Sequence, residues 1–132
     1  MTDRAGAQSF AYAALRIVAG AMFAFHGAQK ILGVLTDHKP PMWSQLWFGG
    51  IIELVGGILI ALGLFTRPVA LLASGTMAVA YFQFHWKLAM DSWKFLPVVN
   101  QGELAVMYCF VFLMFAVSGA GAMSIDASRG RG

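Results

Sequence analysis

Four long apolar runs, separated by only two loops of any length, dominate this chain and restrict what it can fold into. They extend from about Phe10 to Leu32, Trp47 to Phe65, Val69 to Trp86 and Gly102 to Ser118. A helix crosses a bilayer with roughly 20 apolar residues, so the 132 residues have room for four spans and short connections. Only 11% of the residues are charged, against about a quarter in an ordinary soluble domain. Such a composition does not supply the polar surface of a water-soluble enzyme. The expected fold class is all-α: an integral membrane four-helix bundle, antiparallel and up-down-up-down, forming a single domain over residues 1–132. Its helices are expected at about 10–32, 47–65, 69–86 and 102–118.

Punctuation between the runs supports this order. The first run follows the polar leader MTDRAGAQS and exceeds the apolar segment of a cleaved signal peptide, so it reads as a retained helix. The triplet Thr66-Arg67-Pro68 is expected to end the second, because proline cannot continue a helix interior. A joint that short makes the second and third helices an antiparallel pair. The fourth ends in the glycines of SGAGA, where helices tend to stop. Gly20, Ala24, Gly56, Gly57, Gly63, Ala73, Gly75, Gly119 and Gly121 are candidates for close helix approach, which supplies packing where lipid removes the hydrophobic drive. Met22, Met77, Met107 and Met114 read as core fillers.

The net charge of +3 comes from nine basic residues scattered singly, which form no stripe able to track phosphates. Nucleic acid is therefore not an expected partner. The single cysteine, Cys109, excludes an intramolecular disulfide or a CxxC redox pair. With four spans, both termini lie on one side. All five arginines fall on or toward that terminal side, and all four lysines toward the loop side, together with Asp37, Asp91, the three histidines and the four tryptophans. Basic residues are retained in the cytoplasm, which places the termini there. Trp43, Trp47, Trp86 and Trp93 read as an interfacial belt.

Ionisable side chains within the spans carry the chemical signal, because each is costly in lipid unless it has a partner or a task. They are Arg16, His26, Glu53, His85 and Glu103. From the helix rise, His26 and Glu53 lie level, roughly 9 Å in from the loop side, and His85 and Glu103 roughly 2 Å in. The expected site is a polar pocket in that half, with Glu53 and His26 at its floor transferring protons to a quinone head group. His85, Glu103, Gln29 and Lys30 would bind the quinone nearer the mouth. The competing reading is that these groups hydrogen-bond across helices and only stabilise the bundle. Arg16 lies deeper than snorkelling alone needs, yet within reach of the terminal-side headgroups; Arg67 is expected to anchor there, and Asp126 to act as a polar stop. The Glu-x-x-His motif of di-iron bundles is absent, since Gly56 follows Glu53 and Val106 follows Glu103 at that spacing. His26 and His85 differ in depth too much for a bis-histidine haem, so neither metal nor haem is expected.

These residues sit in longer blocks: LRIVAGAMFAFHGAQKILG from Leu15, IIELVGGILIALGLFTRPVALLASGTMAVAYFQFH from Ile51, and NQGELAVMYCFVFLMFAVSGAGAMSID from Asn100. In order and spacing the blocks resemble the DoxX family of small four-helix membrane proteins. Carried over by position, the matching polar residues are His26, Lys30, Glu53, Arg67, His85, Glu103 and Asp126. Gln101 intervenes between Asn100 and Gly102, and Ala122 and Met123 stand where the family often has a basic and an aromatic residue. The resemblance implies a membrane subunit of an oxidoreductase system, such as those that pass electrons from thiosulfate to quinone or those of thiol and oxidative-stress complexes. It implies a multi-pass protein of a bacterial or archaeal cytoplasmic membrane. The partners would be lipids, quinone, and another redox subunit or further copies of the chain. The alternative is a non-catalytic anchor or assembly subunit that docks a redox partner.

Overall fold

The structure, a computed structural model, describes residues 3–90 and 93–131; Asp91, counted above among the loop-side acids, lies outside them. Among the described residues there is no strand. Six helices occur among the described residues, in the order α1 (Arg4–Leu32), α2 (Gln45–Leu62), α3 (Thr66–Ala80), α4 (Pro97–Asn100), α5 (Glu103–Ser118) and α6 (Ile125–Ser128), and α3 continues into a π-helical segment at Tyr81–Trp86. Two of them, α1 and α2, are long and apolar enough to cross a membrane. Helix α5 is a shorter apolar helix.

Local chemistry moves three boundaries from their expected places. Helix α1 begins at Arg4, inside the polar leader, because the Asp3 carboxylate accepts from the Gly6 amide at 3.0 Å and so caps the exposed first turn. Ser44 does the same for α2, accepting from Trp47 at 3.2 Å. Thr66-Arg67-Pro68 is not the joint. It forms the first turn of α3, where the missing proline N–H is no loss because first-turn amides have no helical partner. The turn lies three residues earlier, at Gly63-Leu64-Phe65, where Gly63 and Phe65 take left-handed backbone conformations. The second long connection is also not wholly irregular, since it contains α4.

Helices α1 and α2 pack with their backbones almost in contact. A Cβ on Gly20 would stand 2.5 Å from the Ala61 amide nitrogen and 2.7 Å from the Gly57 carbonyl oxygen, and one on Gly27 would stand 2.6 Å from the Gly50 oxygen. The pairings Gly20 with Ala61 and Gly27 with Leu54 run in opposite directions along the two helices, so the pair is antiparallel. Not every small residue marks such an approach: a Cβ on Gly75 would meet open space. Helix α3 packs mainly along α5. The two pairs meet at a core of Phe23, Ile60, Ala73, Met77, Tyr108, Phe112 and Phe115, with Phe23 and Phe112 rings 4.7 Å apart. Met77 fills this core as expected. Met22, Met107 and Met114 are instead exposed, because they lie on the outward faces of their helices.

The terminal end is tied together by polar groups whose partners lie far away in sequence. Arg16 does not snorkel; it is fully buried and donates to the carbonyls of Ile60, Ala120, Ala122 and Met123. Arg67 donates to the Val117 and Ala116 carbonyls at the end of α5. Tyr12 Oη donates to the Gly119 carbonyl at 2.6 Å. Asp126, rather than a polar stop, is a buried cap supplied from about 60 residues away. Its carboxylate accepts from the Phe65 amide at 3.0 Å and the Thr66 amide at 2.9 Å, which have no helical partners at the start of α3.

Burial alone would raise the Asp126 pKa. The hydrogen bonds from Thr66 and Phe65 and the nearby Arg129 charge outweigh it and hold the carboxyl below its ordinary value of 3.8. A carboxyl with a depressed folded-state pKa stabilises the fold fully above its unfolded value and loses that contribution as the pH falls through the folded one. Asp126→Asn is therefore expected to lower the unfolding midpoint in detergent at pH 7, and the gap to wild type should close as the pH drops through and below about 4. A gap that stays constant between pH 7 and pH 3 would show that the charge at Asp126 is not what holds this turn.

Candidate functional site

A cavity of 1060 Å³ opens between the two helix pairs. Its wall is mostly apolar, with Phe23, Ile52, Leu72 and Met77 among the lining residues, and the π segment adds Phe84. Into this apolar wall the helices set His26 and Lys30 from α1, Glu53 from α2, Tyr108 from α5 and His85 from the π segment. Spacing explains the α1 contribution: Phe23, His26 and Lys30 fall at i, i+3 and i+7, one face of a helix.

Glu53 is the deepest of the charged groups. It is buried, and its Oε1 accepts from Lys30 Nζ at 2.7 Å. The lysine head is less enclosed, its side chain 30% exposed against 5% for Glu53, so the pair points from the buried interior toward the mouth. Two polar atoms remain unpaired here, Glu53 Oε2 and the Tyr108 hydroxyl, both buried without a hydrogen-bond partner. The His26 ring stands edge-on to the Tyr108 ring with centroids 6.2 Å apart. Near the mouth, Gln45 at the start of α2 donates to Gln83 of the π segment. π-Helical turns of this kind are frequently found at functional sites, and this one carries both Gln83 and His85.

The structure gathers His26, Glu53, Lys30 and His85 around one cavity. It does not bring in Glu103 or Gln29. Glu103 is exposed in the first turn of α5 and borders a separate 410 Å³ recess with Leu96, Pro97, Val98, Val106 and Met107. The lining residues of α5 are Leu104, Ala105 and Tyr108, and at about 100° of rotation per residue Glu103 lies on the far side of the helix from them. Gln29 stands about 100° from Lys30 by the same rotation, and its amide donates to the Leu35 carbonyl at 3.1 Å, closing the loop after α1. Nor is His26 the direct partner of Glu53; Lys30 is. Tyr108 was missed. The available signal was a hydroxyl in the middle of the apolar stretch of α5, three and four residues from Ala105 and Leu104. Among the described residues no three His, Cys, Asp or Glu side chains come together as a metal-ligand set.

The sequence model of the DoxX family matches residues 11–86, more than half of the chain and the part that contains His26, Lys30, Glu53 and His85. The chain belongs to the DoxX family. It is also 44% identical over 122 residues to a protein of Haemophilus influenzae described as uncharacterized, an alignment covering 85% of each chain. No solved structure matches. As a DoxX family membrane protein, the chain sets its long apolar helices in lipid.

Proposed function

We propose that this DoxX protein is an integral membrane subunit of an oxidoreductase assembly and that the cavity receives the head group of a quinone. The observation carrying this reading is the meeting of four ionisable side chains, His26, Lys30, Glu53 and His85, on one largely apolar 1060 Å³ cavity. That volume is just above the range, about 300 to 1,000 Å³, that small-molecule sites occupy. Apolar walls with a few polar groups at one end suit a molecule with a polar ring and a hydrocarbon tail. The unpaired Glu53 Oε2 and Tyr108 hydroxyl offer such a ring an acceptor and a donor.

Quinone, when bound, supplies a two-electron acceptor that takes up protons as it is reduced. The chain's own part is to position the ring and handle those protons. Lys30 compensates the Glu53 charge, which would otherwise be isolated in a poorly solvated interior. His26 and Glu53 transfer protons at the inner end, and His85 connects the cavity to the loop side. Electrons would enter through a partner subunit, because the chain has a single cysteine and no cofactor motif. In this reading α1, α2, the rod from Thr66 to Trp86 and α5 span the membrane as an antiparallel four-helix bundle, with the termini cytoplasmic, in a bacterial or archaeal cytoplasmic membrane.

Glu53→Gln and His26→Ala are expected to leave insertion and assembly intact while lowering quinone reduction at least about a hundredfold, the lower edge of what acid-base groups contribute. The check is quinone reduction by the complex purified gently in detergent, alongside its subunit composition. Full activity in both variants would remove the proton-transfer role. A second reading, a non-catalytic anchor that docks a redox partner, is favoured by the Lys30–Glu53 bond itself, since it ties α1 to α2 whether or not a ligand is present.

A further inference from the structure

The two unpaired oxygens at the inner end of the cavity differ in what they can bind. Glu53 gives Oε1 to Lys30 at 2.7 Å. As the anionic member of that pair it has acceptor oxygens and no donor, so Oε2 can take only an incoming N–H or O–H. The Tyr108 hydroxyl can donate or accept. Both atoms are buried and unpaired, a condition that costs free energy until a partner arrives. Both residues belong to the lining of one cavity, and His26, edge-on to Tyr108, lies beside them.

A ring carbonyl can accept from Tyr108 but has no hydrogen to offer Glu53 Oε2. A ring hydroxyl satisfies both, donating to Oε2 while accepting from Tyr108. We infer that the inner end of the cavity recognises a hydroxyl group on a lipophilic ring, and so prefers the hydroquinone to the quinone, with Glu53 as acceptor and Tyr108 as donor. This rests on the cavity being the ligand site argued above. Neither oxygen has open solvent in front of it, so the hydroxyl reaches them with a side-chain adjustment of the sort common on binding.

The test uses the purified full-length protein in detergent, with titration calorimetry corrected for empty micelles. Three probes of one shape are compared: 2-methyl-1,4-naphthohydroquinone kept reduced, its dimethyl ether, and 2-methyl-1,4-naphthoquinone. The hydroquinone is expected to bind at least about tenfold tighter than either of the others, the scale of one hydrogen bond to a charged group. Tyr108→Phe should reduce its affinity several-fold and leave the Lys30–Glu53 pair in place. Glu53→Gln should reverse the preference toward the quinone, because an amide N–H can donate to a carbonyl. Equal binding of all three probes overturns the hydroxyl preference and leaves the cavity as a ligand site. A hydroquinone preference unchanged in both variants overturns the assignment to these two oxygens. No binding of any probe overturns both this inference and the quinone reading.

Discussion

Arg16→Met is expected to destabilise the protein severely, by on the order of 3 kcal/mol or more. Arg16 is 0% exposed. Its guanidinium donates to the Ile60 carbonyl at 3.1 Å, to Ala120 at 2.5 Å, to Ala122 at 3.0 Å and to Met123 at 2.7 Å. No carboxylate stands within ion-pair distance of it among the described residues. The charge is balanced by carbonyl dipoles, one of them at the negative C-terminal end of α2. Methionine fills much of the same volume; Ile60 keeps its bond from the Gly63 amide, but the Ala120, Ala122 and Met123 carbonyls lose their donor, each unsatisfied acceptor costing about 1–3 kcal/mol if it stays dry. Arg16→Lys is the informative control. A lysine keeps the charge, but its three donors lack the planar fork that reaches carbonyls on two segments at once, so it should recover only part of the loss. The measurement is the thermal unfolding midpoint in detergent. A methionine variant as stable as wild type would mean that water readily replaces the arginine at these carbonyls.

The second large effect is expected at the α1–α2 contact. Gly27→Ala and Gly57→Ala each place a methyl group against the backbone of the opposite helix. At Gly27 it would stand 2.6 Å from both the Gly50 oxygen and the Leu54 Cα, and at Gly57 it would stand 2.5 Å from the Gly20 oxygen. Backbone cannot rotate aside as a side-chain tip can, so the helices must separate, at a cost of at least the 1–3 kcal/mol typical of overpacking. Separation also draws Lys30 away from Glu53, so these variants should lose ligand binding as well as stability. Gly49→Ala and Gly75→Ala supply the opposite sign. A Cβ at either meets nothing within 4 Å, and alanine restores roughly the 0.5–1 kcal/mol that glycine costs within a helix. If all four alanine variants destabilise alike, loss of helix approach is not the cause.

The sequence reached the cavity because the signals for it are local. His26, Lys30 and Glu53 are ionisable groups inside long apolar runs, and their costs are legible one residue at a time. Lys30 was placed near the mouth without its partner, since a helix-to-helix ion pair depends on how α1 and α2 are rotated about their axes. The terminal end was misread for a different reason. Judged by its neighbours in sequence, Asp126 looks like a polar stop, and Arg16 and Arg67 look like groups that reach for headgroups. Their actual partners lie 44 residues away for Arg16 and Ile60, 50 for Arg67 and Val117, and 60 for Asp126 and Thr66.

By itself, then, the sequence determined that the chain is helical, that its long helices suit lipid, and that acid, base and imidazole groups occur within their apolar runs. Those properties follow from run length and residue chemistry, which no fold can alter. Only the tertiary structure decided that Tyr108 faces the cavity while Glu103 looks away, and that a carboxylate after the last long helix caps the start of α3. An amphipathic helix shows its inward face through its polar stripe. Helix α5, apolar around its whole circumference, has no such stripe, so its orientation is set by the helices it packs against.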